Sequence, residues 1–233
     1  IWPDELPPPR PVLLERVRGV DGLLCLITER VDGELLDAAG PQLKVISQMA
    51  VGVDNIDLQA AAARGIPVGH TPGVLTEATA DLAFALLLAA ARRIVEAADY
   101  VRRGQWRTWG PTTLLGADLA GATLGIVGLG RIGKAVARRA AGFDLRILAH
   151  DPGCAPEAAA SVNAHLVSLE ALLRESDFVT LHTPLTEQTR GLINRETLRL
   201  MKPSAILINT ARGPIVDQAA LVEALTTGVI SAA

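Results

Sequence analysis

Cysteine is nearly absent from this sequence: two residues in 233, Cys25 and Cys154. A pair so widely separated builds no disulfide framework and matches no metal motif, and it fits a reducing, cytoplasmic compartment. An excess of one charge is missing too. The net charge is −3 at pH 7, so no basic field draws in nucleic acid or an anionic membrane surface. A small-molecule partner is the expectation. Long apolar runs are lacking. The longest, 82–91, spans ten residues, against the ~20 that cross a membrane. Asp81 and the pair Arg92–Arg93 flank it, so it reads as helix buried on every side. No signal peptide, internal repeat or low-complexity tract shows. Apolar residues, by contrast, fill 49% of positions, enough for a core and far from a disordered composition.

Short apolar runs alternate with longer helical patterns. Strands are expected at 22–27, 43–47, 66–70, 123–128, 145–151, 165–167, 178–183 and 205–210, and helices at 11–17, 34–39, 58–64, 131–142, 169–175, 195–201 and 218–226. This alternation reads as βαβ units and parallel sheet, an α/β fold. Asp217 is a candidate N-cap for the last helix, with Gly228 beyond its end. The segment 76–103 breaks the rhythm: it holds only helix formers, with Thr76 as candidate N-cap, and reads as one long helix bridging two α/β units. The domain boundary is placed near Val74, giving domains 1–73 and 74–233.

The sharpest motif is Gly128-Leu129-Gly130-Arg131-Ile132-Gly133. An apolar strand runs into it and a helix runs out, the context a dinucleotide-binding turn requires. Gly128 permits the tight turn, Gly130 lets backbone approach a pyrophosphate, and Gly133 lets helix and strand pack closely. The phosphates would lie on the helix N-terminus, where N–H groups and dipole favour anions. Asp151 ends the next strand, ~20 residues on, where a carboxylate binds the ribose 2′-OH. It would repel a 2′-phosphate, so NAD(H) is favoured, with NADP(H) kept as the alternative. An ordinary Asp-Pro turn is the competing reading of Asp151.

Arg212 follows an apolar strand in Ile208-Asn209-Thr210-Ala211-Arg212-Gly213. Ligands bind beyond the carboxyl ends of such strands, and a guanidinium can hold a carboxylate while polarising a carbonyl. A surface arginine is the plain alternative. Val51-Gly52-Val53-Asp54 also follows a strand; such a loop can aim N–H groups at an anion, or be a simple βα turn. His70, His165 and His182 show no metal spacing.

Taken in order, these segments resemble the D-2-hydroxyacid dehydrogenases, and most closely glyoxylate/hydroxypyruvate reductases. The resemblance runs through Val51-Gly52-Val53-Asp54-Asn55-Ile56-Asp57, Thr71-Pro72-Gly73-Val74-Leu75-Thr76, the glycine motif, Leu181-His182-Thr183-Pro184-Leu185-Thr186, Met201-Lys202 and the Arg212 segment. Trp106-Arg107-Thr108-Trp109-Gly110-Pro111 points to the glyoxylate/hydroxypyruvate branch. The resemblance implies a Rossmann-type doubly wound parallel sheet for the NAD domain, plus part of a flavodoxin-like α/β substrate domain.

It also implies roles. Val51 and Gly52 offer amides to the substrate carboxylate, and Arg212 binds and polarises a small 2-keto acid. Arg131 and Ile132 lie over the pyrophosphate, Thr183 and Pro184 line the adenosine side, and Thr210 and Ala211 lie beneath the nicotinamide. Thr79 sits near the cofactor, and Trp109 reaches the partner subunit's substrate site in a homodimer. The family's general acid, a His oriented by a Glu, matches nothing here, so the chain reads as an internal piece of a longer enzyme. The edge beside 205–210 is expected bare. The rival reading is an NAD-sensing, corepressor-like interaction protein, since fold alone does not assign activity.

Overall fold

The computed structural model describes residues 2–233 and divides between Leu75 and Thr76 into two compact units. The first holds three parallel strands, β1 (Gly22–Cys25), β2 (Val45–Gln48) and β3 (Val68–Gly69), in that spatial order. Helices α1 (Arg10–Arg16), α2 (Gly33–Ala39) and α3 (Leu58–Ala63) accompany them. Two of these helices start on aspartates: Asp32 accepts from the Leu35 amide and Asp57 from the Ala60 amide, each satisfying a first-turn N–H. Val31, Leu35, Leu36 and Ile46 centre the core.

The second unit is a five-stranded parallel sheet. Its strands are β4 (Thr123–Val127), β5 (Arg146–His150), β6 (Ala164–Leu166), β7 (Phe178–Leu181) and β8 (Ile206–Asn209), ordered β6-β5-β4-β7-β8. The order runs outward from β4 through β5 to β6, then reverses to β7 and β8, so the switch point lies between β4 and β7. Its helices are α4 (Thr76–Ala91), α5 (Ile94–Arg102), α6 (Arg131–Ala140), α7 (Pro156–Ala160), α8 (Leu169–Glu175), α9 (Arg195–Leu198) and α10 (Gln218–Thr226). Both sheet faces are covered. Leu124, Ile126, Ile147, Phe178, Ile206 and Ile208 pack with Ala83, Leu87 and Val136 on one side. Val127, Leu148, Val179, Leu181 and Leu207 pack with Leu172, Leu173, Leu198 and Ala224 on the other. Burial on both faces is why these strands read as unbroken apolar runs. Asp217 caps α10, accepting from the Ala220 amide at 3.1 Å, and Gly228 turns the chain beyond it at φ 73°.

Three expectations are corrected. The segment 76–103 is two helices, not one: Arg93 between α4 and α5 adopts the left-handed region at φ 52°. The run 82–91 is not buried on every side. Ala83, Phe84, Leu87 and Ala91 are buried, whereas Leu82 and Leu86 are 54% and 42% exposed. The β8 edge is partly covered, since the Leu207 amide donates to the Ala232 carbonyl at 3.0 Å and the Ser231 amide to the Ala205 carbonyl at 2.9 Å. The short helix α7, with Pro156 at its first position, was not anticipated. No helix of the described residues is long and apolar enough to cross a membrane.

Candidate active site

Four of the five strands of the second unit end in residues expected to bind a ligand. The pairings Val127 with His150, Val127 with Leu181, and Leu181 with Asn209 put these ends at one level. The glycine turn leaves β4, Asp151 follows β5, Thr183 and Pro184 follow β7, and Thr210, Ala211 and Arg212 follow β8. Thr79 lies in the first turn of α4, a helix packed on α6 and β8. Val51 and Gly52 belong to the loop after β2 in the first unit, and Trp109 to an exposed loop after α5.

The three motif glycines have different reasons to be glycine. Gly128 turns at φ 91°, and a Cβ there would come within 2.7 Å of the Thr183 amide nitrogen. At Gly133 a Cβ would fall on the Gly128 carbonyl oxygen, well inside contact distance. These two close the β4–α6 turn against β7 and against itself. A Cβ on Gly130, by contrast, would meet nothing within 4 Å, and its φ of −70° suits any residue. Open space thus lies over the N-cap of α6, a helix start with no side-chain cap. A phosphate bridging the first-turn N–H groups fits there.

Asp151 does more than end a strand. Its Oδ2 accepts from the Leu129 amide at 2.8 Å and its Oδ1 from the Gly153 amide at 2.9 Å. The carboxylate therefore fixes the middle of the glycine turn, and each oxygen keeps a lone pair for a hydroxyl. Beside it, His150 contacts the Val167 carbonyl through Nδ1 at 3.1 Å. The Thr210 hydroxyl is buried and has no hydrogen-bond partner. A ligand group or an ordered water would satisfy it. Together with the open Gly130 cradle, it makes this edge fit a dinucleotide.

The backbone that carries Arg212 is held by Asn209. Asn209, at the end of β8, donates from Nδ2 to the Arg212 carbonyl at 2.9 Å and accepts the Ala211 amide at 3.0 Å. This Asx-type turn fixes 209–212, and Arg212 Nη1 also donates to the Ala211 carbonyl at 2.9 Å. An Asn closing an apolar strand was the available signal. His182, just past β7, contacts Thr180 Oγ1 through Nε2 at 3.0 Å. Burial pushes it down to about 4, so the ring is neutral at pH 7 and ill suited to deliver a proton there. Among the described residues, no three His, Cys, Asp or Glu side chains gather to hold a metal.

The sequence model of the NAD-binding domain of D-isomer specific 2-hydroxyacid dehydrogenases matches residues 84–233. Two similar relatives are named glyoxylate reductase. That of Thermococcus litoralis is 56% identical, aligned over all of this chain and 71% of its own length. That of Korarchaeum cryptofilum is 55% identical over all of this chain and 70% of its own. Among solved structures, the TT0316 protein of Thermus thermophilus superposes with a TM-score of 0.90 at 54% identity, over 97% of this chain and 71% of that one. D-lactate dehydrogenase of Aquifex aeolicus, complexed with NAD and lactic acid, gives 0.87 at 32% identity, over 97% and 65%.

Proposed function

From the premise that this chain belongs to the D-isomer specific 2-hydroxyacid dehydrogenase family, we propose that it reduces a small 2-keto acid, glyoxylate or hydroxypyruvate, to the D-2-hydroxy acid. The observation that carries this reading is one carboxyl edge of adjacent strands, β4, β7 and β8, bearing both the open Gly130 cradle and the Asn209–Arg212 turn. The relatives named glyoxylate reductase support the substrate class.

When bound, a nicotinamide dinucleotide supplies the hydride. The protein's part is binding, orientation and charge. Gly130 and the first turn of α6 would hold the pyrophosphate, together with Arg131, Ile132 and Thr79. Asp151 would take the ribose hydroxyls, Thr183 and Pro184 would hold the adenosine side, and Thr210 and Ala211 would hold the nicotinamide. Val51 and Gly52 of the first unit offer amides to the substrate carboxylate. The Arg212 guanidinium would bind the keto acid and stabilise the charge that develops on the keto oxygen, which then takes a proton from water to become the hydroxyl. Trp109, 77% exposed, is proposed to reach a partner subunit's site. A reducing, cytoplasmic setting is proposed from two free thiols.

We further propose NADH over NADPH. Asp151 would face a 2′-phosphate with like charge, and residues 152–157 contain no Arg or Lys to receive one. In the intact protein, kcat/KM for NADH should exceed that for NADPH, and Asp151→Ala should narrow the gap by about tenfold, the effect of ~1.4 kcal/mol. A parent that prefers NADPH refutes the assignment. For the reaction itself, glyoxylate and hydroxypyruvate are assayed with NADH. Turnover is expected, and Arg212→Lys should lower kcat/KM by about 10²-fold. NADH binding without turnover of any 2-keto acid would overturn the dehydrogenase reading in favour of an NAD sensor.

A further inference from the structure

The loop after β2 has an asymmetry in its backbone partners. Four consecutive carbonyls are engaged within the first unit. Ala50 O accepts from the Thr71 amide at 3.0 Å and Val53 O from the Ile56 amide at 3.0 Å. Val51 O is met by His70 Nδ1 at 2.9 Å and Gly52 O by Gln48 Nε2 at 3.2 Å. No hydrogen bond among the described residues uses the N–H of Ala50, Val51, Gly52 or Val53. A loop whose acceptors are taken and whose successive donors are left over is an anion cradle.

Two of the four carbonyl partners are side chains, and one of them is buried at depth. Gln48 is 1% exposed. The burial alternation of β2 sets it on the inner face beside Ile46. Both ends of its amide are engaged: Nε2 donates to Gly52 O and, at 2.8 Å, to Asn55 Oδ1, while Oε1 accepts from Cys25 Sγ at 3.0 Å. The orientation is forced from outside. Asn55 Nδ2 donates to the Leu26 carbonyl at 3.0 Å and the Glu29 carbonyl at 2.8 Å, so its Oδ1 must face Gln48, and Gln48 must answer with N–H. At the other end, burial first and Glu29 second push the Cys25 thiol up to about 11, so it keeps its proton and donates. His70, exposed at the end of β3, completes the set from the surface.

We propose that Gln48 and His70 are positioning residues that set the Val51–Gly52 amides for the substrate carboxylate, Gln48 being locked in turn by Asn55 and Cys25. The proposal deepens the functional reading above and rests on it. A keto acid of two or three carbons offers few handles, so a loop displaced by a fraction of an ångström loses much of its hold. Gln48 acts through the loop, so its effect falls on binding of the keto acid. Cofactor affinity, which belongs to the second unit, stays as it is.

The test is steady-state kinetics on the intact protein, with the NADH Kd read by fluorescence and oxalate used as a non-reacting carboxylate probe. Gln48→Met keeps length and bulk but donates nothing. Gln48→Glu still accepts from Cys25 but cannot donate to Gly52 O or Asn55 Oδ1. Both should raise KM for glyoxylate and the oxalate Kd about tenfold, with kcat within about threefold and the NADH Kd unmoved. His70→Ala, a surface change that leaves the core intact, should raise KM about threefold and decides the matter if a Gln48 variant does not fold. A residue with a merely structural role would lower Tm and leave the split between KM and kcat untouched. A parent that turns over glyoxylate while these variants keep its KM overturns the positioning role alone. A parent that neither turns over a keto acid nor binds oxalate overturns the functional reading and this proposal together.

Discussion

Gly130 and Gly133 stand three residues apart and require glycine for opposite reasons. At Gly133 a methyl group would land on the Gly128 carbonyl, so the fold excludes it. At Gly130 a methyl group would enter empty space above the α6 N-terminus, so the fold tolerates it, whereas a pyrophosphate bound there as proposed would not. Gly133→Ala should therefore cost about 1–3 kcal/mol of stability. Gly130→Ala should lower Tm by no more than a few degrees, the small cost of alanine at an N-cap, while weakening NADH at least about tenfold. Thermal melts and NADH titration of the two variants separate these roles, and a Gly130→Ala protein binding NADH normally would remove the cradle. His182 yields a pH prediction of its own. Its folded value is about 4 against an ordinary 6.5, because burial disfavours the charged ring. Between those values the unfolded chain carries a proton that the folded one lacks. Stability is thus full above pH 6.5 and lost as pH falls towards 4, by up to about 3 kcal/mol. His182→Gln should flatten that part of the Tm–pH curve relative to the parent; curves of equal slope would count against a buried neutral ring.

At the scale of elements, the break between α4 and α5 is the informative feature. A continuous helix would spend the Ala91 carbonyl on the amide four residues ahead. Here that carbonyl accepts the Ala117 amide at 2.8 Å instead, from a loop far along the chain. Gly116 makes the approach feasible: a Cβ there would collide with the Ala91 carbonyl and crowd Arg92. Arg93 then takes a left-handed conformation, held by a fork to Glu96 at 2.8 and 2.6 Å. The composition of 76–103 contains only helix formers, so local propensity could not disclose an interruption imposed by tertiary contact. Gly116→Ala should push the loop off the helix end and lower stability by about 1–3 kcal/mol. Differential scanning calorimetry would register this, with hydrogen exchange rising at Ala117, whose amide loses its partner. An unchanged Tm would mean that the loop yields at no cost and the break has another origin.

Over the whole molecule, what was legible is what is local. The glycine motif, Asp151 and the Asp217 cap declare themselves within a few residues, because turn chemistry and strand periodicity are short-range. Gln48, Asn209 and the neutral His182 do not. Each owes its role to partners that only the folded chain assembles, although the strand-ending Asn209 was readable in part, whereas Gln48 lay outside the strand expected at 43–47. The same distinction governs the run 82–91. Composition made it look buried all round, yet the second unit buries only the face of Ala83, Phe84, Leu87 and Ala91. Leu82 and Leu86, one helical turn apart, stay 54% and 42% exposed. The resemblance implies a homodimer, and we propose that its interface covers these two leucines. Each leucine removed from water contributes about 1–2 kcal/mol, so the pair on both subunits adds several kcal/mol to association. The intact parent should sediment as a dimer at micromolar concentration. Leu86→Glu, which sets a charge in that contact, should shift it to monomer while NADH affinity and secondary structure are retained, since Leu86 faces away from the unit's own core. A parent that sediments as a monomer, or a Leu86→Glu variant as dimeric as the parent, would place the interface elsewhere.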